Sequence, residues 1–184
     1  MSLRVRGETE ELVGRTAFTV KPLRDGALEP QDDVFEFWQR ATELDRSITA
    51  AGIALRDVNN RLGLLKVAAE RAAIDPVALD DAWSDIRTEV LALDEAMNGN
   101  PARNELWERT LPTVRSRLGS VMLGLSNSTY GPTQTHREQL EFAEEEFEDI
   151  RERVVELINE TVPAFEGELQ RAGAPWVPGS RLPE

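Results

Sequence analysis

The sequence predicts a mainly α protein, an up-down-up-down four-helix bundle with long first and last helices behind a short N-terminal β-hairpin. Three observations lead there. Apolar residues recur at spacings of three and four from Val34 to Ala72. Gly and Pro punctuate the chain near 76, 99–101, 112 and 131–132. A second heptad pattern starts at Leu140 and reaches, with a shift, to Ala172. The 184 residues are enough for one domain with a core of its own, and 40% apolar with 30% charged residues suits a folded chain with a solvated surface.

Residues 1–28 read as hairpin and linker. "LRVRG" alternates, "ETEELVG" turns and "RTAFTVKPL" alternates again, with Phe18 and Val20 on one face and Ala17 and Thr19 on the other. A lone two-stranded hairpin is marginal in water. It is therefore expected to pack on the helices, to join another chain, or to be the edge of a preceding β domain. Met1-Ser2-Leu3 reads as a leader before an abrupt strand-like start, with no hydrophobic signal stretch after it, so a piece of something longer is expected.

The bundle is expected over 29–174. Pro30, Asp32 and Asp33 suit a first helical turn. Val34, Ala41, Ile48, Leu55, Leu62 and Ala69 repeat every seven residues, interleaved with Phe37, Leu44, Ala51, Val58, Leu65 and Ala72. This seam predicts a helix roughly 58 Å long. Trp38, Ile53 and Leu64 widen the stripe, which calls for more than one partner helix. Gly52 and Gly63 mark close approaches, or are tolerated at about 1 kcal/mol each.

Asp75 then caps a second helix, with Pro76 as its first residue and Leu79, Trp83, Ile86, Val90, Leu93 and Met97 on its apolar face. "NGNP" stops it, and a short helical piece around 102–109 carries Leu106 and Trp107. A third main helix uses Leu111, Val114, Leu118, Val121, Met122 and Leu125. The two middle helices together match one long helix if they stack around the 98–112 break. The last helix starts after Gly131-Pro132, capped by Thr133 or Thr135, with Thr135 to Glu138 fitting a capping box. Its seam runs through Leu140, Ala143, Phe147, Ile150, Val154 and Leu157 and then shifts to Ile158, Val162, Phe165, Leu169 and Ala172. The four-residue step from 154 to 158, with Pro163 nearby, predicts a bend. Gly173 ends the helix, and the tail 175–184 is ordered if Trp176 docks.

Chemistry is sparse. A net charge of −13 argues against nucleic acid and anionic membrane as partners, since both select positive surfaces. No apolar run nears the roughly 20 residues of a bilayer span. Without cysteine there is no disulfide and no thiolate nucleophile or ligand. Arginine outnumbers lysine, present only as Lys21 and Lys66, which reads as a GC-rich genome before salt adaptation. "SNSTYGPTQTHREQ" holds the only tyrosine and the only histidine, yet His136 falls in a helix's first turn and reads as an exposed helix-start residue. Catalysis would need an orienting acid or nucleophile beside it, and a di-iron bundle site would need a glutamate three residues ahead, where Thr133 stands. The acidic run "EFAEEEFEDIRERVVE" reads as a solvated face with Arg151 and Arg153 pairing within it, ahead of a calcium or basic-partner patch. Trp38, Trp83 and Trp107 read as core, and Trp176 as a candidate contact to a neighbouring domain. The glycosylation patterns at Asn127 and Asn159 are too common to carry weight. No catalytic, cofactor-binding or metal-binding residue is assigned.

Three stretches carry a family resemblance: "TAFTVKPLRDG", "TLPTVRSRLGSVMLGLSNSTYGPTQTHREQLEFAEEEFEDI" and "VPAFEGELQRAGAP". In that order they resemble the C-terminal region of bacterial sortilin-like β-propeller proteins with neuraminidase-type (BNR) repeats, described as glycosyl hydrolases. The resemblance implies the last strand of a β-sandwich, then the family's helices with a Pro-Thr-Gln loop and an Ala-Gly-x-Pro stop. It implies an exported or periplasmic parent whose propeller would hold the hydrolase chemistry, and it carries no catalytic residue into this chain. The expected function is a non-catalytic structural or interaction module, partnered by its own parent protein's domains or by a second copy. The alternative is an independent small-ligand or enzymatic bundle, which needs buried titratable groups facing each other.

Overall fold

About eleven turns' worth of three-four apolar spacing without a proline cannot end early, and it forms a single helix. In the computed structural model, which describes residues 2–5, 8–11, 17, 19, 31–127 and 131–177, α1 spans Gln31–Glu70. At 1.5 Å per residue its 40 residues run about 60 Å. Both heptad series are buried from Phe37 to Ala69, while Val34 and Ala72 at the two ends are half-buried.

Asp75 caps α2, Pro76–Asn98. Its carboxylate accepts from Ala78 N, and its backbone takes a left-handed φ of 45°, which Asp tolerates better than most residues. The buried face of α2 is Leu79, Ile86, Val90, Leu93 and Met97, and Trp83 packs beside it, donating Nε1–H to the Leu62 carbonyl at 2.8 Å. Then come a five-residue α3, Pro101–Glu105, and α4, Val114–Asn127, which buries Val114, Leu118, Val121 and Leu125.

The final rod has three parts: α5, Gln134–Glu156; a π turn, Leu157–Thr161; and α6, Val162–Arg171. Its buried apolar residues step by three or four except between Leu157 and Val162, a step of five. The Val162 N–H closes that step on the Leu157 carbonyl, the i→i−5 bond of a π turn. Pro163 lacks an N–H, and its ring would crowd the Asn159 carbonyl in a regular helix, so the wider turn suits it. Gly173, at φ 73°, ends α6 in a Schellman turn: Ala174 N–H reaches Leu169 O at 2.9 Å, and Gly173 N–H reaches Gln170 O at 3.1 Å.

Contacts between named residues fix the directions. Phe37 and Arg40 near the start of α1 meet Arg137 and Glu144 near the start of α5. Arg61 and Ala73 at the other end meet Glu166 and Ala172. The first and last rods are therefore parallel. Both α2 and α4 run against them: Trp83 near the start of α2 meets Leu62, Glu89 meets Arg153, Arg117 meets Glu146, and Gly124 near the end of α4 meets His136. Arg115 at the start of α4 donates to Asn98 at the end of α2, so these two helices follow one another along the bundle. With 23 and 14 residues they nearly match α1's 40.

This corrects the expected up-down-up-down order. The directions are up, down, down, up, with α2 and α4 acting as one interrupted middle rod between two long ones. The protein is mainly helical, its helices packed around a single apolar cluster.

Several local expectations also change. Ser2–Val5 pairs antiparallel with Glu8–Glu11, so a strand lies where the turn was expected; Ala17 and Thr19 are in no regular element, and the rest of "RTAFTVKPL" lies outside the described residues. Ile53 and Leu64 are exposed, because α1 needs only its seam and Trp38 to fill the two facing rods. Gly63 has nothing near it, and Gly52 only the end of Arg56 at 3.8 Å, so neither marks a close approach. The seam of the last rod shifts through Leu157 and Val162, and Ile158 stays on the surface.

Candidate functional site

The loop with the only histidine resolves into a helix start joined to a helix crossing. Gly131 takes φ 82°, Pro132 is buried, and Thr133 is the N-cap of α5. Thr133 Oγ1 accepts from His136 N at 3.3 Å, and Thr133 N–H donates to His136 Nδ1 at 3.2 Å. His136 thus plays the part that glutamate plays in a capping box. The box is Thr133 with His136, not the expected Thr135 with Glu138. The ring is half-buried rather than exposed, and lies so close over Gly124 of α4 that a Cβ there would overlap it. Ser128, Thr129 and Tyr130 lie outside the described residues.

Sequence reasoning missed Glu166. It is 5% exposed and ion-paired with Arg61 of α1. Its neighbours Phe165 and Leu169 are apolar, and a lone glutamate beside a seam gives no signal of burial; only the opposing Arg61, about a hundred residues away, makes it tolerable. Glu166, Leu65, Leu169, Gln170 and Trp176 line a small cavity of about 130 Å³ between α1, α6 and the tail. Trp176 borders it while half exposed, and Val177 packs on the core.

The third feature is the break in the middle rod. Trp107 is expected in the core, Leu111 on the third helix's apolar face and Leu106 on the short helical piece, yet Leu106, Trp107 and Leu111 are 71%, 93% and 88% exposed. Helix α4 starts three residues after Leu111, and α3 ends before Leu106, so neither stripe reaches these side chains. Glu108 N–H bonds Arg103 O at 3.1 Å, the long bond of a Schellman-type turn. Trp107 therefore stands where glycine is usual, at φ 55°. Two shallow hollows of about 430 Å³ each flank Leu111. One is lined by Arg103, Glu108 and Arg109, the other by Ser116, Arg117 and Gln139.

Charge pairs tie the rods together outside the core. Arg40 holds Glu144 through two bonds of 2.6 and 3.2 Å, and that bonding raises the guanidinium's pKa above its ordinary value. Arg117 joins Glu146 and Gln139, and Lys66 pairs with Asp80 while lying 4.7 Å over the Trp83 ring. Of the arginines expected to pair within the acidic run, Arg151 does so with Glu148, whereas Arg153 crosses to Glu89 of α2. Among the described residues no cluster of His, Asp and Glu is placed to hold a metal ion, and no helix is long and apolar enough to cross a membrane. No family model, curated protein or solved structure matches the chain.

Proposed function

We propose that this chain is a non-catalytic interaction module. Its parallel rods make a stiff scaffold, and the interrupted middle rod presents an apolar knob to another protein surface. The observation that carries the reading is Trp107, almost fully exposed in a left-handed backbone conformation and flanked by Leu106 and Leu111. Three large apolar side chains in water within six residues oppose folding economy, and such patches mark contact surfaces. A non-glycine residue at positive φ adds roughly 1–2 kcal/mol of strain. Tryptophan is also among the residues that most often dominate interface energies. The surface it meets is that of a neighbouring domain of its own parent protein or of a second copy. On the three stretches quoted above, that parent resembles the BNR-repeat propeller proteins, and any hydrolase chemistry would sit in the propeller. The acidic surface leaves nucleic acid and anionic membrane out of this reading.

The cavity beside Glu166 favours a second reading, a small-ligand site. It is the weaker one, because Arg61 already neutralises the carboxylate, and about 130 Å³ falls below the roughly 300 Å³ at which ligand pockets begin.

Fluorine NMR of protein made with 5-fluorotryptophan tests the first reading, since the four indoles give separate signals and Trp107→Phe assigns one of them. The Trp107 signal should be that of a water-exposed ring in dilute protein and should move when the chain is concentrated or given its partner domain. A signal that moves under neither condition contradicts the interaction module.

A further inference from the structure

We infer that the knob of Leu106, Trp107 and Leu111 docks on the acidic outer stripe of α5 in a second copy of this chain, as a two-fold pair in which each copy both gives a knob and receives one. The inference rests on the interaction-module reading and deepens it by naming the partner.

Charge complementarity around apolar anchors carries the argument. Between Asn98 and Arg117 lie four arginines, Arg103, Arg109, Arg115 and Arg117, against two acids, Glu105 and Glu108, in a chain of net charge −13. Arg109 makes no ion pair among the described residues, and Arg103 reaches Glu95 and Glu108 only at 3.9 Å. The α5 stripe is the converse. Glu138, Glu141, Glu145 and Asp149 are exposed and in no ion pair among the described residues, and Phe142, 48% exposed, stands among them. Spacings of three and four put these residues on one helix face.

Both halves lie on the same side of one molecule. Arg117 lines the hollow that holds Leu111, and its guanidinium also sits 5.3 Å over the Phe142 ring. A surface carrying a basic apolar knob next to an acidic stripe with its own apolar anchor is self-complementary, which two-fold pairing requires. Each pair then makes the knob-to-stripe contact twice. A stable complex buries roughly 800 Å² per partner, and these four apolar side chains supply the apolar centre of such a face with the charged residues as its rim.

Sedimentation velocity of the full chain across a wide concentration range tests this. The unaltered chain should dimerise. Trp107→Ser, Arg109→Glu and Glu145→Arg should each weaken dimerisation about tenfold or more, with the far-UV circular dichroism unchanged because all three side chains are exposed. Combining Arg109→Glu with Glu145→Arg should restore most of the loss, since the pair is then reversed rather than broken. A chain that stays monomeric, a dimer indifferent to all three substitutions, or a double reversal no better than its parents overturns the inference. A monomer whose Trp107 fluorine signal still moves on adding another protein overturns copy pairing alone and leaves the interaction module standing.

Discussion

His136 shows how one side chain serves two elements. Its Nδ1 closes the cap of α5 while its ring fills the space over Gly124 of α4. Gly124→Ala should therefore be destabilising in the unaltered protein, because the new methyl pushes the ring off its cap. With His136→Ala in place, the same change should be neutral or stabilising by up to about 1 kcal/mol, the helix preference of alanine over glycine. Urea unfolding of the four-member cycle measures the coupling, and simple additivity would sink the account of the ring. A second expectation is electrostatic. The hydrogen bonds from Arg151 hold the Glu148 carboxyl below the usual carboxylate range. The sign follows: what this pair contributes is present above the ordinary carboxylate pKa and lost as pH falls through the lowered value. A carbon-detected NMR titration should find Glu148 titrating low, and Arg151→Ala should return it to the ordinary range. The cap at 133–136 was legible only in part from the sequence. The helix start was plain from Gly131-Pro132, but which threonine caps depends on where the ring of His136 finds its place against α4.

At the scale of elements, seams were easy to read and their irregularities were not. The α1 seam holds almost throughout, because α1 packs against both other rods and its seam lies in the core between them. Leu62, in the last third of α1, is fully buried in it. Leu62→Ala should cost about 2–5 kcal/mol, as deleted core leucines do when the site cannot collapse. A urea midpoint that does not move would mean that this seam faces water. The last rod was harder. Leu157 and Ile158 are adjacent and both apolar, so the sequence offered two ways to shift the face. The interior takes Leu157 and Val162, and a π turn absorbs the odd residue where Pro163 would strain a regular helix. The break at 98–113 was legible as a stop. That its apolar residues would face outward was not, since Leu106, Trp107 and Leu111 carry the same composition as core residues.

For the whole molecule, periodicity gave lengths and stops but left direction open. Two middle helices that together equal a long one fit either a fold back on themselves or one rod in two pieces. The Arg115–Asn98 bond and the parallel contacts of α1 with α5 and α6 select the second, and the knob at 103–111 stands at the side of the scaffold for that reason. The pairing of half-buried Arg61 with buried Glu166 is a long-range fact of this arrangement, invisible to any local pattern. The account therefore stands on the parallel course of the first and last rods, and a spin-label distance tests it most directly. The chain has no cysteine, so Glu36→Cys with Glu138→Cys labels two exposed sites without interference. Both flank the contact of Phe37 with Arg137 at 5.6 Å. Pulsed electron resonance should give a label separation below about 25 Å, whereas antiparallel rods would carry Glu138 to the far end of α1, about 45 Å away at 1.5 Å per residue, and a distance of that size would contradict the account.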